Sequence, residues 1–254
     1  LLGREQFLKA VAEMGVKETF RGYGPEQGYD FLHEAIVKYY AGFGVTLASD
    51  EIFISDGAKS DCGNITDIFS NANTILIPDP VYPVYLDTNI MCGRKIFYMD
   101  GKPENNFLPM PDDSVKADII YLCSPNNPTG NVFPAIEIER LITAFDGIVV
   151  VDEAYIDFSS RPSWIRRLNE FHNLVVLQTF SKAWGSAGVR LGMAFASTEI
   201  IGILSKIKYP YNVNQLTQKQ AIEMLHKYYE IERWVKRLKE ARENLENRFS
   251  ELPL

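Results

Sequence analysis

Seven short apolar runs recur along the chain, separated by stretches with helical character. They lack the strict alternation of apolar and polar residues that marks a strand with one solvated face, which indicates strands buried on both faces. Strands of this kind alternating with helices predict a three-layer α/β/α fold around a mostly parallel seven-stranded sheet. The predicted strands cover residues 51–55, 74–77, 95–98, 118–123, 147–151, 174–179 and 191–196.

The remaining periodicity is helical. Residues 4–14 predict a short amphipathic helix, and a second helix with apolar positions from Phe31 onward follows a turn-rich loop at 23–28. The segment 215–250 predicts helix throughout and ends in a long charged helix at 229–249. Because no repeat, low-complexity stretch or interdomain linker interrupts the pattern, the chain is expected to form one large α/β unit.

Composition narrows the classes of partner. The chain has 254 residues, 46% of them hydrophobic and 23% charged, with a formal net charge of −7. An acidic balance argues against nucleic acid and anionic membranes as partners, since both require a basic face. No apolar run approaches the roughly 20 residues of a membrane helix. Three scattered cysteines without metal-ligand spacing favour free thiols in a reducing cytoplasm and no metal site.

Three polar motifs stand at the ends of strand-like runs. Lys182 lies in Gln178-Thr-Phe-Ser-Lys-Ala-Trp-Gly-Ser-Ala-Gly-Val-Arg190, directly after an apolar run. The other two motifs are Asn126-Asn-Pro-Thr-Gly130 and Val151-Asp-Glu-Ala-Tyr155. Ligands of open parallel sheets gather beyond the carboxyl ends of the strands, so the three motifs are expected to form one site. This site suits a pyridine aldehyde phosphate, which Lys182 would hold as an imine.

Each polar residue of these motifs has a specific expected role and a simpler alternative. The Asp152 carboxylate would pair with a protonated pyridine nitrogen, but an aspartate after a strand also serves as a helix N-cap. Tyr155 and Asn127 would donate hydrogen bonds to the phenolic oxygen of the ring. The alternative for residues 127–130 is a plain β-turn.

A phosphate group requires backbone amides at a helix start together with fixed cations. The segment Asp56-Gly-Ala-Lys-Ser60 follows one predicted strand and precedes a helix, although a glycine-led helix start is often only a cap. Tyr82 would stack on the pyridine ring, or else pack in the core. The candidate phosphate ligands are Gly57, Ala58, Lys59, Thr179, Ser181 and Arg190.

These residues, in this order, resemble the fold-type I pyridoxal-phosphate enzymes of aminotransferase class I/II. The resemblance implies a transaminase that uses pyridoxal 5'-phosphate, an amino donor and a 2-oxo acid. Lys182 would carry the cofactor and then move the proton from the substrate α-carbon, with Asp152, Asn127 and Tyr155 on the ring. Tyr82 would stack on it. Tyr23 would reach the phosphate of a neighbouring subunit, which implies a homodimer.

At the level of subfamilies the two halves differ. Residues 1 to about 120 resemble LL-diaminopimelate aminotransferase. This resemblance implies that Glu26 and Lys59 lie near the distal groups of the substrate, with Glu26 reaching the site of the neighbouring subunit. Asn127 would face the substrate as well. From about residue 120 the chain resembles histidinol-phosphate aminotransferase. These likenesses point to lysine or histidine biosynthesis, and their division predicts a recombined chain joined within 121–130.

The ends of the chain suggest a further expectation. The first residue is not methionine, and the last lie roughly where the small domain of these families would begin. Residues 1–254 are therefore expected to be the cofactor-binding large domain, without an N-terminal arm and without the small domain that supplies an arginine for the substrate α-carboxylate. Three functions stay open: a working aminotransferase, a cofactor-binding domain with little or no turnover, and another pyridoxal-phosphate reaction such as β-elimination.

Overall fold

The computed structural model describes residues 4–111 and 115–252, so the extreme ends, on which the expectation of a shortened chain partly rests, lie outside the described residues. One sheet has the strand order β1-β7-β6-β5-β4-β2-β3. Among the described strands, β7 runs antiparallel to the other six, which are parallel to one another, and this confirms the mostly parallel α/β prediction. The strands are β1 Ile52–Ser55, β2 Thr74–Asp79, β3 Lys95–Asp100, β4 Ile119–Cys123, β5 Ile148–Asp152, β6 Leu174–Thr179 and β7 Gly192–Phe195.

Alternate residues of the central strands enter two separate hydrophobic cores. In β5, Val149 and Val151 face one core and Val150 faces the other. The same division holds in β4, where Ile120 and Tyr121 point to opposite sides. Both faces of the sheet are therefore apolar, which explains why the sequence shows continuous apolar runs rather than alternation.

Helices cover both faces. The described α-helices are α1 Arg4–Met14, α2 Asp30–Ala41, α3 Ala58–Asp67, α4 Val84–Met91, α5 Ala135–Ala144, α6 Thr198–Ile207, α7 Gln215–His226 and α8 Tyr228–Ser250. Side chains from α2, α5, α7 and α8 fill one core, and side chains from α3, α4 and α6 fill the other. The predicted C-terminal helical segment is two helices, because Lys227 leaves the helical region of the backbone at φ −110° and ψ 24°. Within the described ranges, no helix has the length and apolar character needed to cross a bilayer.

The strand register brings three predicted motifs to one edge of the sheet. Cys123 pairs with Asp152, so the ends of β4 and β5 lie side by side. Ser55 and Thr179 both pair with Gly192, which places the end of β1 close to the end of β6. A Cβ atom on Gly192 would lie 2.3 Å from the backbone nitrogen of Ala58. Only glycine therefore permits the start of α3 to approach the sheet this closely.

Candidate functional site

A cavity of about 280 Å³ opens at this edge of the sheet. Its volume is just below the range for small-molecule sites, roughly 300–1,000 Å³. Eleven residues predicted from the sequence line it together, namely Gly57, Ala58, Lys59, Tyr82, Asn127, Asp152, Tyr155, Thr179, Ser181, Lys182 and Arg190. Cys62, Cys123, Ala154 and Ala187 complete the lining and were not predicted.

Lys182 lies in the tight connection between β6 and β7. The amide of Gly185 donates to the carbonyl of Lys182 at 2.9 Å, and the amide of Ser186 donates to Phe180 at 3.0 Å. These bonds close a turn that presents the lysine amine to the cavity. Its Nζ atom lies 5.1 Å from the centre of the Tyr155 ring. The amine and the phenol predicted to act together are therefore close neighbours.

Asp152 ends β5 and is 5% exposed. Its Oδ1 atom accepts the amide hydrogen of Ala154 at 2.9 Å, and its Oδ2 atom accepts the hydroxyl hydrogen of Tyr85. Burial raises the pKa of this carboxyl, while the Tyr85 and Ala154 hydrogen bonds and the charge of Lys182 oppose the shift. The Ala154 contact is a local turn bond of the kind expected from the simpler alternative. The carboxylate nevertheless faces the cavity, so this turn bond and a cavity role are compatible.

Asn127 and Tyr155 meet across the cavity wall. The Asn127 amide Nδ2 donates to the Tyr155 hydroxyl at 3.3 Å. The neighbouring Asn126 fixes this loop, because its side-chain amide donates to Pro80 at 3.0 Å and to Thr129 Oγ1 at 2.9 Å. The segment is thus a turn, as the simpler reading of its sequence predicted, and this turn holds Asn127 toward the cavity.

The opposite end of the cavity carries the groups that could bind an anion. Gly57 adopts φ +142°, and α3 begins at the next residue, so the first amides of this helix, which lack partners within it, belong to residues that line the cavity. A Cβ atom on Gly57 would come within 2.7 Å of Arg190 Nη2, which shows how closely the guanidinium covers this backbone. Arg190 itself is fixed by a 2.8 Å hydrogen bond from Nη1 to the carbonyl of Ala187. Lys59 adds a second cation to the lining.

Two hydroxyls also lie at this end of the cavity. Thr179 Oγ1 accepts the amide hydrogen of Ser181 at 3.1 Å and lies 3.3 Å from the carbonyl of Leu191, to which it donates. The Ser181 side chain lines the cavity beside it. Both residues follow directly from the end of β6, so the strand positions them without additional loop structure.

Tyr23 and Glu26 lie outside this cavity. Tyr23 is 88% exposed and stacks on Tyr211 with ring centres 4.7 Å apart. Glu26 is exposed, and its carbonyl accepts a hydrogen bond from Lys208 Nζ at 2.6 Å. Both had been expected at a neighbouring subunit's site rather than at their own, and their exposure leaves them available for that.

Tyr85 is the functional candidate that sequence reasoning missed. It lies beneath the cavity rather than in its lining, and its hydroxyl donates to Asp152. The motif Tyr82-Pro-Val-Tyr85 offered a signal only through closeness along the chain, since Tyr82 precedes the N-cap Pro83 and Tyr85 lies in the first turn of α4. The rings of Tyr82 and Tyr85 are indeed adjacent, with centres 6.0 Å apart.

The residues fit the cofactor that the sequence predicts. A buried carboxylate suits a pyridine N–H, an amine beside it suits an aldehyde, and a glycine backbone with two cations suits a phosphate. The Gly57 position tests this fit, because a side chain there would fill the space between the helix start and Arg190. This combination on a mostly parallel sheet is the arrangement expected of a pyridoxal-phosphate enzyme.

Comparison with known proteins agrees with this class. Residues 4–254 match the family described as aminotransferase class I and II, and the chain belongs to that family. Membership implies the use of pyridoxal 5'-phosphate. Among solved structures, an aminotransferase from Staphylococcus aureus superposes with a TM-score of 0.83 and 26% identity, over 98% of this chain and 70% of the other.

Two similar sequences carry different activity names. A histidinol-phosphate aminotransferase of Bacteroides thetaiotaomicron is 49% identical over 98% of this chain and 74% of its own length. An LL-diaminopimelate aminotransferase of Phocaeicola vulgatus is 44% identical over 77% of this chain and 52% of its own length. The chain thus spans about half to three quarters of these relatives. Because the first match runs through both halves, the likeness to a histidinol-phosphate aminotransferase is not confined to residues after about 120.

Proposed function

We propose that this chain is the cofactor-binding large domain of a pyridoxal-phosphate-dependent aminotransferase of amino-acid biosynthesis. The observation that supports the proposal is the convergence of Lys182, Asp152 and Arg190 on one cavity. An amine, a buried carboxylate and a fixed guanidinium within one small space match three separate parts of a single cofactor. A lysine, an aspartate and an arginine placed for surface or structural purposes alone would not need to converge.

The roles of the residues follow from their chemistry. When bound, the cofactor supplies an electron-accepting ring for the bond broken at the substrate α-carbon. Lys182 Nζ would bind the cofactor aldehyde and, once free, carry the proton at the substrate α-carbon. The Asp152 carboxylate would hold a proton on the pyridine nitrogen. Asn127 and Tyr155 would donate hydrogen bonds to the ring oxygen and so orient the ring.

The rest of the cavity would hold and cover the cofactor. The amides after Gly57 and the guanidinium of Arg190 would bind the phosphate, with Lys59 and two hydroxyls, those of Thr179 and Ser181, beside them. Tyr82 lies on the cavity wall, where its ring would cover one face of the pyridine and exclude water.

The proposed substrate is histidinol phosphate, with glutamate and 2-oxoglutarate as the second amino donor and acceptor pair. Support comes from the relative of that name, whose similarity covers nearly the whole chain. LL-diaminopimelate is the second candidate, favoured by Glu26 and Lys59 and by the relative of that activity. Only Lys59 of this pair lines the described cavity, so Glu26 would have to act from a neighbouring subunit.

A homodimer is part of the proposal. Tyr23 is exposed and absent from the cavity of its own chain, as expected for a residue that completes a neighbour's phosphate site. Sedimentation velocity should then show a dimer, and Tyr23→Phe should weaken cofactor binding although Tyr23 is not among the residues that line the cavity of its own chain. A monomer with unchanged affinity would refute this part. Three free cysteines agree with a cytoplasmic location for such a dimer.

The cofactor-binding step is tested by chemical trapping. The protein is incubated with pyridoxal 5'-phosphate, reduced with borohydride, digested and examined by mass spectrometry. The expected result is a modified peptide at Lys182. Lys182→Ala should abolish it, whereas Lys236→Ala, at a lysine that is 78% exposed on α8, should not. Modification at another lysine would overturn the assignment.

Turnover is tested on the loaded protein. Histidinol phosphate, LL-diaminopimelate and glutamate are added separately, and the aminated cofactor is quantified by chromatography. Conversion by one of the first two, together with glutamate, would identify the substrate. Conversion by none would favour the second function, a cofactor-binding domain with little or no turnover.

A further inference from the structure

Tyr85 has a position that packing alone does not explain. It is 0% exposed, lies in the first turn of α4 and donates its hydroxyl hydrogen to Oδ2 of Asp152. Its ring stacks on that of Tyr121 with centres 4.9 Å apart and planes 14° apart. The ring contact would be equally well made by phenylalanine. The hydroxyl, however, is directed at the one buried carboxylate of the cavity.

The environment of Asp152 shows why such a donor matters. Burial favours the neutral form of the carboxyl and raises its pKa. A neutral carboxyl could not stabilise a positive charge on a pyridine nitrogen. Hydrogen bonds donated to the ionised form act in the opposite direction, and the described side chains provide one from Tyr85. Desolvation keeps the pKa of Tyr85 well above its usual value, so its oxygen retains the hydrogen it donates.

Resting on the function proposed above, we propose that Tyr85 is a positioning residue that keeps the Asp152 carboxylate ionised and directed at the cofactor's pyridine nitrogen. The two oxygens are fixed by different donors, Tyr85 on Oδ2 and the amide of Ala154 on Oδ1. Both donors are buried and belong to separate elements, so the carboxylate cannot rotate without breaking one bond. Each oxygen keeps a second lone pair, and one of these can accept the pyridine N–H.

The location of Tyr85 on α4 connects this role to the cavity wall. Tyr82 lines the cavity one residue before the helix-capping Pro83, while Tyr85 lies below it. The side-chain amide Nδ2 of Asn89 donates to the carbonyl of Tyr85 at 2.8 Å and so holds the helix start in place. One helix start therefore carries both the residue that would cover the ring and the residue that orients its acidic partner.

The test uses Tyr85→Phe, with Tyr121→Phe as the matched control. Tyr121 is also buried and belongs to the same stacked pair, but its hydroxyl does not contact Asp152. Each folded variant is loaded with cofactor labelled with ¹⁵N in the pyridine ring, and the nitrogen chemical shift is followed against pH. Cofactor affinity is measured by equilibrium dialysis.

In Tyr85→Phe the pyridine nitrogen should lose its proton at a lower pH than in the wild type. Cofactor binding should weaken about tenfold, the effect of losing one hydrogen bond to a charged group. Tyr121→Phe should behave like the wild type. An unchanged nitrogen titration in Tyr85→Phe, or an equal change in both variants, would overturn the proposal.

A second comparison separates an effect of Tyr85→Phe that acts through Asp152 from a general loosening of the protein. If Tyr85 acts through Asp152, cofactor affinity in the Asp152→Asn protein should not fall further when Tyr85→Phe is added, and an additive loss would contradict the inference. Cofactor binding by the wild-type protein distinguishes a failure of the proposed function from a failure of the present inference. If the wild type fails to take up the cofactor at Lys182, the proposed function fails. If the wild type takes up the cofactor and the nitrogen titration is the same in Tyr85→Phe, only the present inference fails.

Discussion

Replacing Gly57 by alanine adds one Cβ atom to the proposed anion-binding end of the cavity, where Arg190 covers the backbone. Gly57 has φ +142° and ψ 151°, a region that other residues enter only at a cost of about 1–3 kcal/mol. The new Cβ atom would lie 2.7 Å from Arg190 Nη2, whereas ordinary contact begins at 3.4 Å. The guanidinium must therefore retreat by about 0.7 Å, the difference between these distances.

The two consequences of Gly57→Ala, backbone strain and displacement of Arg190, are detected by different measurements, of stability and of cofactor affinity. Backbone strain lowers the free energy of unfolding, because the strained conformation exists only in the folded state. The clash itself is relieved by moving Arg190, since a guanidinium is the end of a flexible side chain. That movement removes the cation from its place above the helix start. Loss of one charge-assisted hydrogen bond to phosphate is worth about 1.5–3 kcal/mol, or roughly 10–100-fold in affinity.

The assay compares cofactor affinity and thermal stability in two glycine variants of the same region. Gly57→Ala should bind pyridoxal 5'-phosphate about 10–100-fold more weakly, by equilibrium dialysis, and melt at a lower temperature. Gly63→Ala is the control, because a Cβ atom there meets open space within α3. It should leave affinity unchanged and gain about 0.5–1 kcal/mol of stability, as expected for alanine in a helix. Equal affinity in Gly57→Ala and the wild type would refute the phosphate contact.

Two further predictions concern the neighbouring acid and the cavity wall. Glu153 is buried, and desolvation raises its pKa from 4.5 to about 7 in the folded protein. The protonated form therefore contributes stability that is fully present below pH 4.5, and this contribution is lost as the pH rises through 7. The loss is about 3 kcal/mol, and Glu153→Gln, which stays neutral, should show a correspondingly flatter fall in unfolding free energy between pH 5 and pH 8 in urea titrations. Parallel curves for the two proteins would contradict this pKa. Tyr155→Phe removes the hydroxyl that accepts a hydrogen bond from Asn127 at 3.3 Å, and the absorption maximum of the bound cofactor should shift because a donor to its ring oxygen is lost. An identical spectrum would show that Tyr155 does not contact the ring oxygen.

The sheet was predictable because both of its faces are buried. Continuous apolar runs such as 147–151 are long enough for strands and too short for helices, and all seven predicted runs correspond to strands of the described chain. Strand direction was not predictable from the same pattern. A buried strand has the same pattern in either direction, and the connection from β6 to β7, residues 180–191, contains a 3-10 turn but no α-helix, so the chain returns beside β6 in the antiparallel direction.

The cavity lining was largely predictable because its residues follow strand ends. Strand ends of a parallel sheet share one edge, so residues far apart in sequence, such as Gly57 and Lys182, could be assigned to one cavity before their distances were known. Tyr85 could not be assigned in this way. Its position depends on how α4 packs on the sheet, and a buried tyrosine in an apolar segment has the same sequence signature whether or not its hydroxyl meets a carboxylate.

Two consecutive acids, Asp152 at the end of β5 and Glu153 after it, are held by contacts on opposite faces of the sheet. Neighbouring residues of an extended chain point in opposite directions, so Asp152 contacts Tyr85, a residue of one core, while Glu153 contacts Trp164, a residue of the other. There Glu153 accepts hydrogen bonds from the Trp164 amide at 2.8 Å and from Gln178 Nε2 at 2.9 Å. Gln178 belongs to β6 and lies four residues before Lys182, so a hydrogen bond joins the segment that follows Asp152 to the strand that leads to the lysine. A site fixed in this way requires little reordering when it binds a ligand, because the fold rather than the ligand sets the geometry.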